Sequence, residues 1–337
     1  MEKVTSTSQL KRVVRSKAFT LLILLAFMVG LFTFLATLND AKFFTAKTLL
    51  GILYDLAVPA FLAIGAGCLL VSGGMDFSEW TVGMLAGMIM AIGVTWWGLP
   101  WYVCIIIALA AAALIGTINA TFVNKLGLAP FIVTMAMASV VRGIAILVAT
   151  DPDGVVKGAQ SYDNAVLNVI GTWKLFGEVP GTVIVMVLFY IIYGLMLSKT
   201  KLGRSMYLLG GNRNAARLSG INASKISYFL FINCSLMGAL AGIIYGIRSK
   251  QGSLAALQGD QFTGMTAAML GGISFGGGSG GLGGAFIGLL VIKTFNKGML
   301  IIGSSPFLTQ TLQGALLLAA LVVDYLSQRR QHKRIGA

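Results

Sequence analysis

Charge is what this sequence has least of. Only 11% of its 337 residues are Asp, Glu, Lys or Arg, against roughly 25% in a soluble globular domain. That deficit excludes a water-soluble fold, because a charge-free run such as 80–124 would leave no polar cover for a solvated surface. Histidine is scarcer still: the single one, His332, lies in a basic tail. With no nucleophile–base set and no metal-ligand cluster, the sequence does not describe an enzyme or a metal site. The three cysteines, Cys68, Cys104 and Cys234, sit inside apolar runs without metal spacing and read as small packing residues. A G-x-x-x-x-G-K-[ST] run is also missing, so the chain has no P-loop of its own and is expected to bind no cofactor.

What is present is apolar length. The chain is 57% hydrophobic and carries 43 glycines, which reads as an all-α polytopic membrane protein. Crossing a bilayer takes about 20 apolar residues per helix. About ten spans are expected, at roughly 18–38, 49–70, 80–97, 101–124, 129–149, 182–198, 226–247, 262–275, 282–301 and 307–325. The run 80–124 must break, since 45 helical residues would extend about 67 Å at 1.5 Å each. Gly98-Leu99-Pro100 supplies the turn, flanked by Trp96, Trp97, Trp101 and Tyr102 as an interfacial aromatic belt. The first run is too long for a signal-peptide core, and no A-x-A site follows it.

Lys and Arg set the orientation. With the N-terminus inside, sixteen of them fall in inner segments and six in outer loops, a positive-inside bias that places both termini in the cytoplasm. The formal charge of +14 therefore reports topology, and no nucleic acid is implied. The expected organisation is a cytoplasmic tail over 1–17, one transmembrane domain over 18–325 and a second cytoplasmic tail over 326–337. Within the domain, a periplasmic loop runs over about 150–181, and a polar, basic cytoplasmic loop over about 199–225. That second loop contains GGNRNAARLSGIN, a segment able to form a two-turn helix as a rigid knob facing the cytosol.

Four ionisable groups fall inside spans: Asp55, Arg142, Lys293 and Lys297. Each needs a partner or water, because a charge at a helix centre costs roughly 2.5–3.5 kcal/mol on insertion scales. Asp55 and Arg142 come out at compatible depths and are expected to pair; Lys297 is close enough to its helix end to snorkel. The pair is either structural or part of an ion-coupled secondary transporter that would use Asp55. Asp76 and Glu79, in SGGMDFSEW, are better suited to capping a following helix than to catalysis. Gly276–Gly284 formally contains G-x-G-x-x-G but lacks the βαβ context, so it reads as a tight turn with close helix packing. GGMDF at 73–77 and GGISF at 271–275 form a possible internal echo. Asn119, Asn124, Thr134, Asn233, Thr294, Asn296, Gln310 and Gln313 could line a path or bond helix to helix. Ala86, Gly87, Gly116, Gly238, Ala239, Gly242, Gly284 and Gly288 are small enough to let helices approach closely.

Several of these segments, taken in order, resemble one family: the inner-membrane permeases of ATP-binding-cassette importers for simple sugars such as ribose, arabinose, xylose and galactose. LAPFIVTM (128–135) with Arg142-Gly143 is similar to the family's P-F-I-x-T-L…R-G run, and SGGMDFS (72–78) to its G-G-I-D-L-S turn. MLGGISFGGGSGGLGGAFIG (269–288) resembles its glycine-rich segment, and GALLLAALVVD (314–324) its last span. GGNRNAARLSGI (210–221) is similar to the cytoplasmic coupling motif G-x-N-x-x-A-A-R-x-x-G-I. The resemblance implies the importer permease fold and a bacterial inner-membrane location. It implies a translocation pathway for a monosaccharide delivered by a periplasmic sugar-binding protein. It also implies two cytosolic ATPase subunits holding ATP and Mg, and a second permease, identical or related. By that match Gly211, Asn212, Arg213, Ala215, Ala216, Arg217 and Gly220 form the ATPase-coupling contact. Where relatives often carry acids after the motif's Asn, this chain has Arg213 and Asn214, which suggests a more acidic groove on the ATPase.

Overall fold

The computed structural model of the chain describes residues 17–260, 262–315, 318 and 322. The two expected tails, the end of the last span and His332 lie outside the described residues. In chain order the elements begin with α1 (Lys17–Leu38), α2 (Ala46–Leu56), α3 (Pro59–Val71), α4 (Glu79–Thr95), α5 (Trp101–Lys125) and α6 (Pro130–Val148). A small extramembrane module follows, with β1 (Ala159–Ser161), α7 (Ala165–Thr172), β2 (Lys174–Leu175) and β3 (Val179–Pro180). Then come α8 (Gly181–Lys199), α9 (Lys201–Gly211), α10 (Arg213–Leu218), α11 (Ala223–Ser249), β4 (Gln251–Ser253), α12 (Thr263–Leu270) and α13 (Leu282–Ile301). Helical turns resume over 306–315.

The centre of the fold is α3. Its thirteen residues, PAFLAIGAGCLLV, contain no polar side chain and are all buried, as expected of a helix that is apolar all round. It packs among α11, α12, α13 and α8. The outer helices carry the opposite arrangement. Phe27, Phe34, Leu147, Leu188, Ile191 and Leu195 on α1, α6 and α8 are exposed, presenting an apolar surface suited to hydrocarbon.

Among the described residues, six helices are long and apolar enough to cross a membrane: α1, α5, α6, α8, α11 and α13. The pair α2 and α3, bent by 50° at Ala57-Val58, makes a seventh if counted as one broken span, with Pro59 removing a donor at the break. α4 is a shorter apolar helix. The expected count of ten is therefore loose. Its span at 262–275 is only the eight-residue α12, about 12 Å long at 1.5 Å per residue. The split of 80–124 falls where expected, with Gly98 at φ +62° between α4 and α5.

One strand pairing anchors the extramembrane module, and its entry turn closes locally. β1 pairs antiparallel with β4, joining Gln160 to Gly252 in register. A turn at Asp151 is closed by the Val155 N–H, 2.8 Å from its Oδ1, and by Lys157 at 3.2 Å. Those two partners, the N–H first, hold the Asp151 carboxyl below its ordinary range.

Candidate functional site

The polar knob is built by two adjoining helices. α9 is capped by Thr200, whose hydroxyl accepts from Gly203 N–H, and it ends at Asn212. The backbone of Asn212 is extended, and its side-chain oxygen accepts the Ala215 N–H at 3.0 Å, so the same residue starts α10. α10 stops at Gly220, where φ is +77°. The N–H of Gly220 bonds Arg217 O and that of Ile221 bonds Ala216 O, and the left-handed turn suits glycine.

The knob's exposed face comprises Arg213, Asn214, Ala215, Arg217 and Leu218. Ala216, which the motif places among the contact residues, is instead 1% exposed and packs inward. Leu218, absent from the motif-derived set, is 90% exposed. An apolar side chain in the last turn of an otherwise polar six-residue helix is the signal for it in the sequence.

Beneath the knob, three glycine segments from distant parts of the chain meet backbone to backbone. Gly278 N–H donates to Val71 O at 2.8 Å. A Cβ on Gly210 would fall 2.5 Å from Gly278 N, one on Gly277 2.7 Å from Gly73 N, and one on Gly278 2.7 Å from Gly211 Cα. Tyr207 on α9 adds a hydroxyl bond to Gly280 O at 2.7 Å. The run 276–284 is thus the tight packing turn its composition implies. The echo between 73–77 and 271–275 corresponds to two helix stops of one kind. In each, a glycine at positive φ (Gly73, Gly272) ends a short buried helix.

Of the expected small-residue contacts, the densest joins α4 and α11. A Cβ on Gly83 would stand 2.5 Å from Gly238 O, and one on Gly242 would collide with the Gly83 carbonyl. Gly116 packs its Cα side against Ile232 on the same helix.

The intramembrane charges pair differently from expectation. Asp55 does not take Arg142. Its Oδ2 accepts Lys297 Nζ at 3.0 Å, while Arg142 is exposed on α6 and forms no ion pair among the described residues. α2 packs against α13, α8 and α3, whereas α6 packs against α4 and α5, so the helices carrying the two expected partners are not packed together. Lys293, four residues before Lys297, bonds Asp260 Oδ1 at 3.1 Å. Arg248 lies 3.4 Å over the Tyr54 ring and donates to Tyr54 O at 2.7 Å. With Lys297 as its counter-ion, Asp55 is not a lone intramembrane acid of the kind an ion-coupled carrier needs.

Asp76 closes a turn before α4 and does not cap it as expected: the N-cap residue is Ser78, and no side chain among the described residues bonds the first amides of the helix. Oδ1 of Asp76 accepts both the N–H and the hydroxyl of Ser78, at 2.7 and 2.6 Å, ahead of α4. Three of the four candidate pathway residues take separate partners. Asn119 donates to Ser78 Oγ at 2.9 Å, Thr134 bonds back to Pro130 O, and Asn233 accepts from Tyr193. Asn296 lines a polar chamber together with Gln310 and Gln313. Among the described residues, no group of His, Cys, Asp and Glu could hold a metal.

Known proteins match most of the chain. A family model described as "Branched-chain amino acid transport system / permease component" matches residues 48–321. The ribose import permease protein RbsC of Escherichia coli (strain K12) is 33% identical over 308 residues, which is 90% of this chain and 93% of that protein. Its Bacillus subtilis (strain 168) counterpart is 30% identical over 303 residues, covering 88% and 91%. The D-allose transport system permease protein AlsC of Escherichia coli (strain K12) is 29% identical over 308 residues, covering 90% of each. No solved structure matches the chain.

Proposed function

The chain belongs to the transport-system permease-component family as an ATP-binding-cassette importer subunit of the inner membrane, and we propose that it carries a monosaccharide delivered by a periplasmic binding protein. The observation that supports a sugar is the agreement of the relatives. They are named as permeases for ribose, fructose, xylose and allose, and several cover about nine-tenths of this chain. The energy comes from partners. Two cytosolic ATPase subunits bind ATP and Mg and hydrolyse the nucleotide, while this chain binds neither.

α10 is the part that meets the ATPase. Its lone exposed Leu218, between Arg217 and the Gly220 stop, offers an apolar tip within a cationic collar. A groove with an apolar floor and acidic rim complements it. Closure of the ATPase pair draws two such knobs together, one on each permease of a homodimer or related heterodimer. The spans then exchange between inward- and outward-open packings. The knob is cytoplasmic and both termini lie on that side, in keeping with the distribution of Lys and Arg.

The experiment is reconstitution of the permease with its ATPase and candidate binding proteins in liposomes. A sugar-loaded binding protein is expected to stimulate ATP hydrolysis and sugar accumulation together. Stimulation that survives Arg217→Glu combined with Gly220→Pro would refute the coupling role of α10. ATP-independent accumulation driven by an ion gradient would refute the importer reading as a whole.

A further inference from the structure

A chamber of about 450 Å³ lies between the approach to α12, the second half of α13 and the helical turns over 306–315. Its polar wall is made by Gln258, Asp260, Thr263, Asn296, Gln310 and Gln313. Three Gln and one Asn give every direction a donor and an acceptor. Asn296 reaches the wall from α13, its Oδ1 turned into the packing with no hydrogen-bond partner among the described residues. Phe262, half exposed, supplies one apolar face. Charge is balanced, because the carboxylate of Asp260 is engaged by Lys293 at 3.1 Å.

That combination selects a chemical class. A cation or anion would find amides and an already neutralised pair. An apolar solute would strand the amides without partners. A neutral molecule with several hydroxyls donates and accepts at each one, and its C–H face can lie on Phe262.

Asp260 has a second side. It also lines a neighbouring cavity of about 360 Å³ with Tyr54, Asp55, Tyr245, Arg248 and Lys293. The Asp260–Lys293 bridge is therefore the partition between two polar spaces. With side-chain exposures of 13% and 25%, each charge keeps a solvent-facing side, so parting this pair costs less than parting a fully buried one.

We propose that the amide-lined chamber is a transit site for a neutral polyhydroxylated solute and that the Asp260–Lys293 pair is its gate. This assignment rests on the importer reading above. The two are separable by experiment, because uptake by the unaltered importer tests that reading alone.

Uptake of ribose, xylose, fructose and allose is measured for the complete importer, then for Asn296→Leu and Gln313→Leu. Each variant is expected to lower uptake of the transported sugar about tenfold, the effect of losing one well-made hydrogen bond. Should neither variant fold, Gln313→Cys provides the second measurement. The native cysteines are buried, so the new thiol is the reactive one. The transported sugar is expected to slow its alkylation in membrane vesicles about threefold or more by occupancy, and Asp260→Asn to quicken it. Wild-type uptake in both leucine variants, or alkylation indifferent to the sugar that the importer carries, overturns the chamber assignment and leaves the importer reading intact. Alkylation unchanged by Asp260→Asn overturns the gate. Failure of the unaltered importer to take up any of the four sugars overturns the substrate class for both.

Discussion

Lys297 Nζ stands 3.0 Å from Asp55 Oδ2, across 242 positions of sequence, and clips α13 to the end of α2. The clip is part-exposed, with side-chain exposures of 23% and 45%. A pair of that kind contributes about 0.5 kcal/mol, not several. Asp55→Asn should accordingly lower the melting temperature of the purified permease only slightly. The charge-reversed double variant Asp55→Lys with Lys297→Asp should recover most of the loss, and Arg142→Gln should leave it unmoved. A large effect of Arg142→Gln on stability, with none from Asp55→Asn, would contradict the pairing described.

The knob makes a sharper prediction. Leu218 is nearly free of intramolecular contact, so Leu218→Asp should leave the fold and melting temperature unchanged while abolishing stimulated ATP hydrolysis. Wild-type stimulation in Leu218→Asp would remove the apolar tip from the interface. Ala216→Leu should behave in the opposite way, lowering stability because Ala216 is buried and overpacking costs about 1–3 kcal/mol.

The ends of α10 can be tested separately from its face. Asn212→Ala removes the cap bond to Ala215 and should cost about 1 kcal/mol of local helix stability. Gly220→Val places a β-branched residue at φ +77°, at about 1–3 kcal/mol of strain. Hydrogen exchange of the 213–219 amides should quicken in both variants while α3 stays protected. Unchanged exchange would show that the knob is held by something other than its caps.

Helix approach gives a fourth test. Gly242→Val drives a side chain into the Gly83 carbonyl and should abolish assembly or transport. Gly194→Val on α8, where nothing lies within 4 Å, should be tolerated for both. Equal behaviour of the two variants would mean that the α4–α11 contact is not tight in the working protein.

Hydropathy made the long helices legible. The expected limits of the spans at 101–124, 129–149, 182–198 and 282–301 fall within about two residues of α5, α6, α8 and α13. α12 was not legible as a short helix, because its apolar run continues into the glycine turn without a change in composition. Partner choice was illegible for a different reason. Asp55 and Arg142 lie on α2 and α6, which pack against different sets of helices, and hydropathy does not say which helices become neighbours. The knob's position could be read from its polarity and its residues from the motif. Which of those residues face outward could not, since a match to a pattern does not separate a buried Ala216 from an exposed Leu218.

The glycine junction under α9 bears on how motion is transmitted. Where Gly73, Gly210 and Gly278 meet, no side chains lie between the three segments. Side-chain contacts yield by changing rotamer, and a small displacement dies out within them. Backbones touching at van der Waals distance have no such slack. A displacement imposed on the knob therefore reaches the end of α3 and the turn before α13 with little lost travel, as through a metal bearing rather than a rubber one. The stiffness comes from having nothing there to bend.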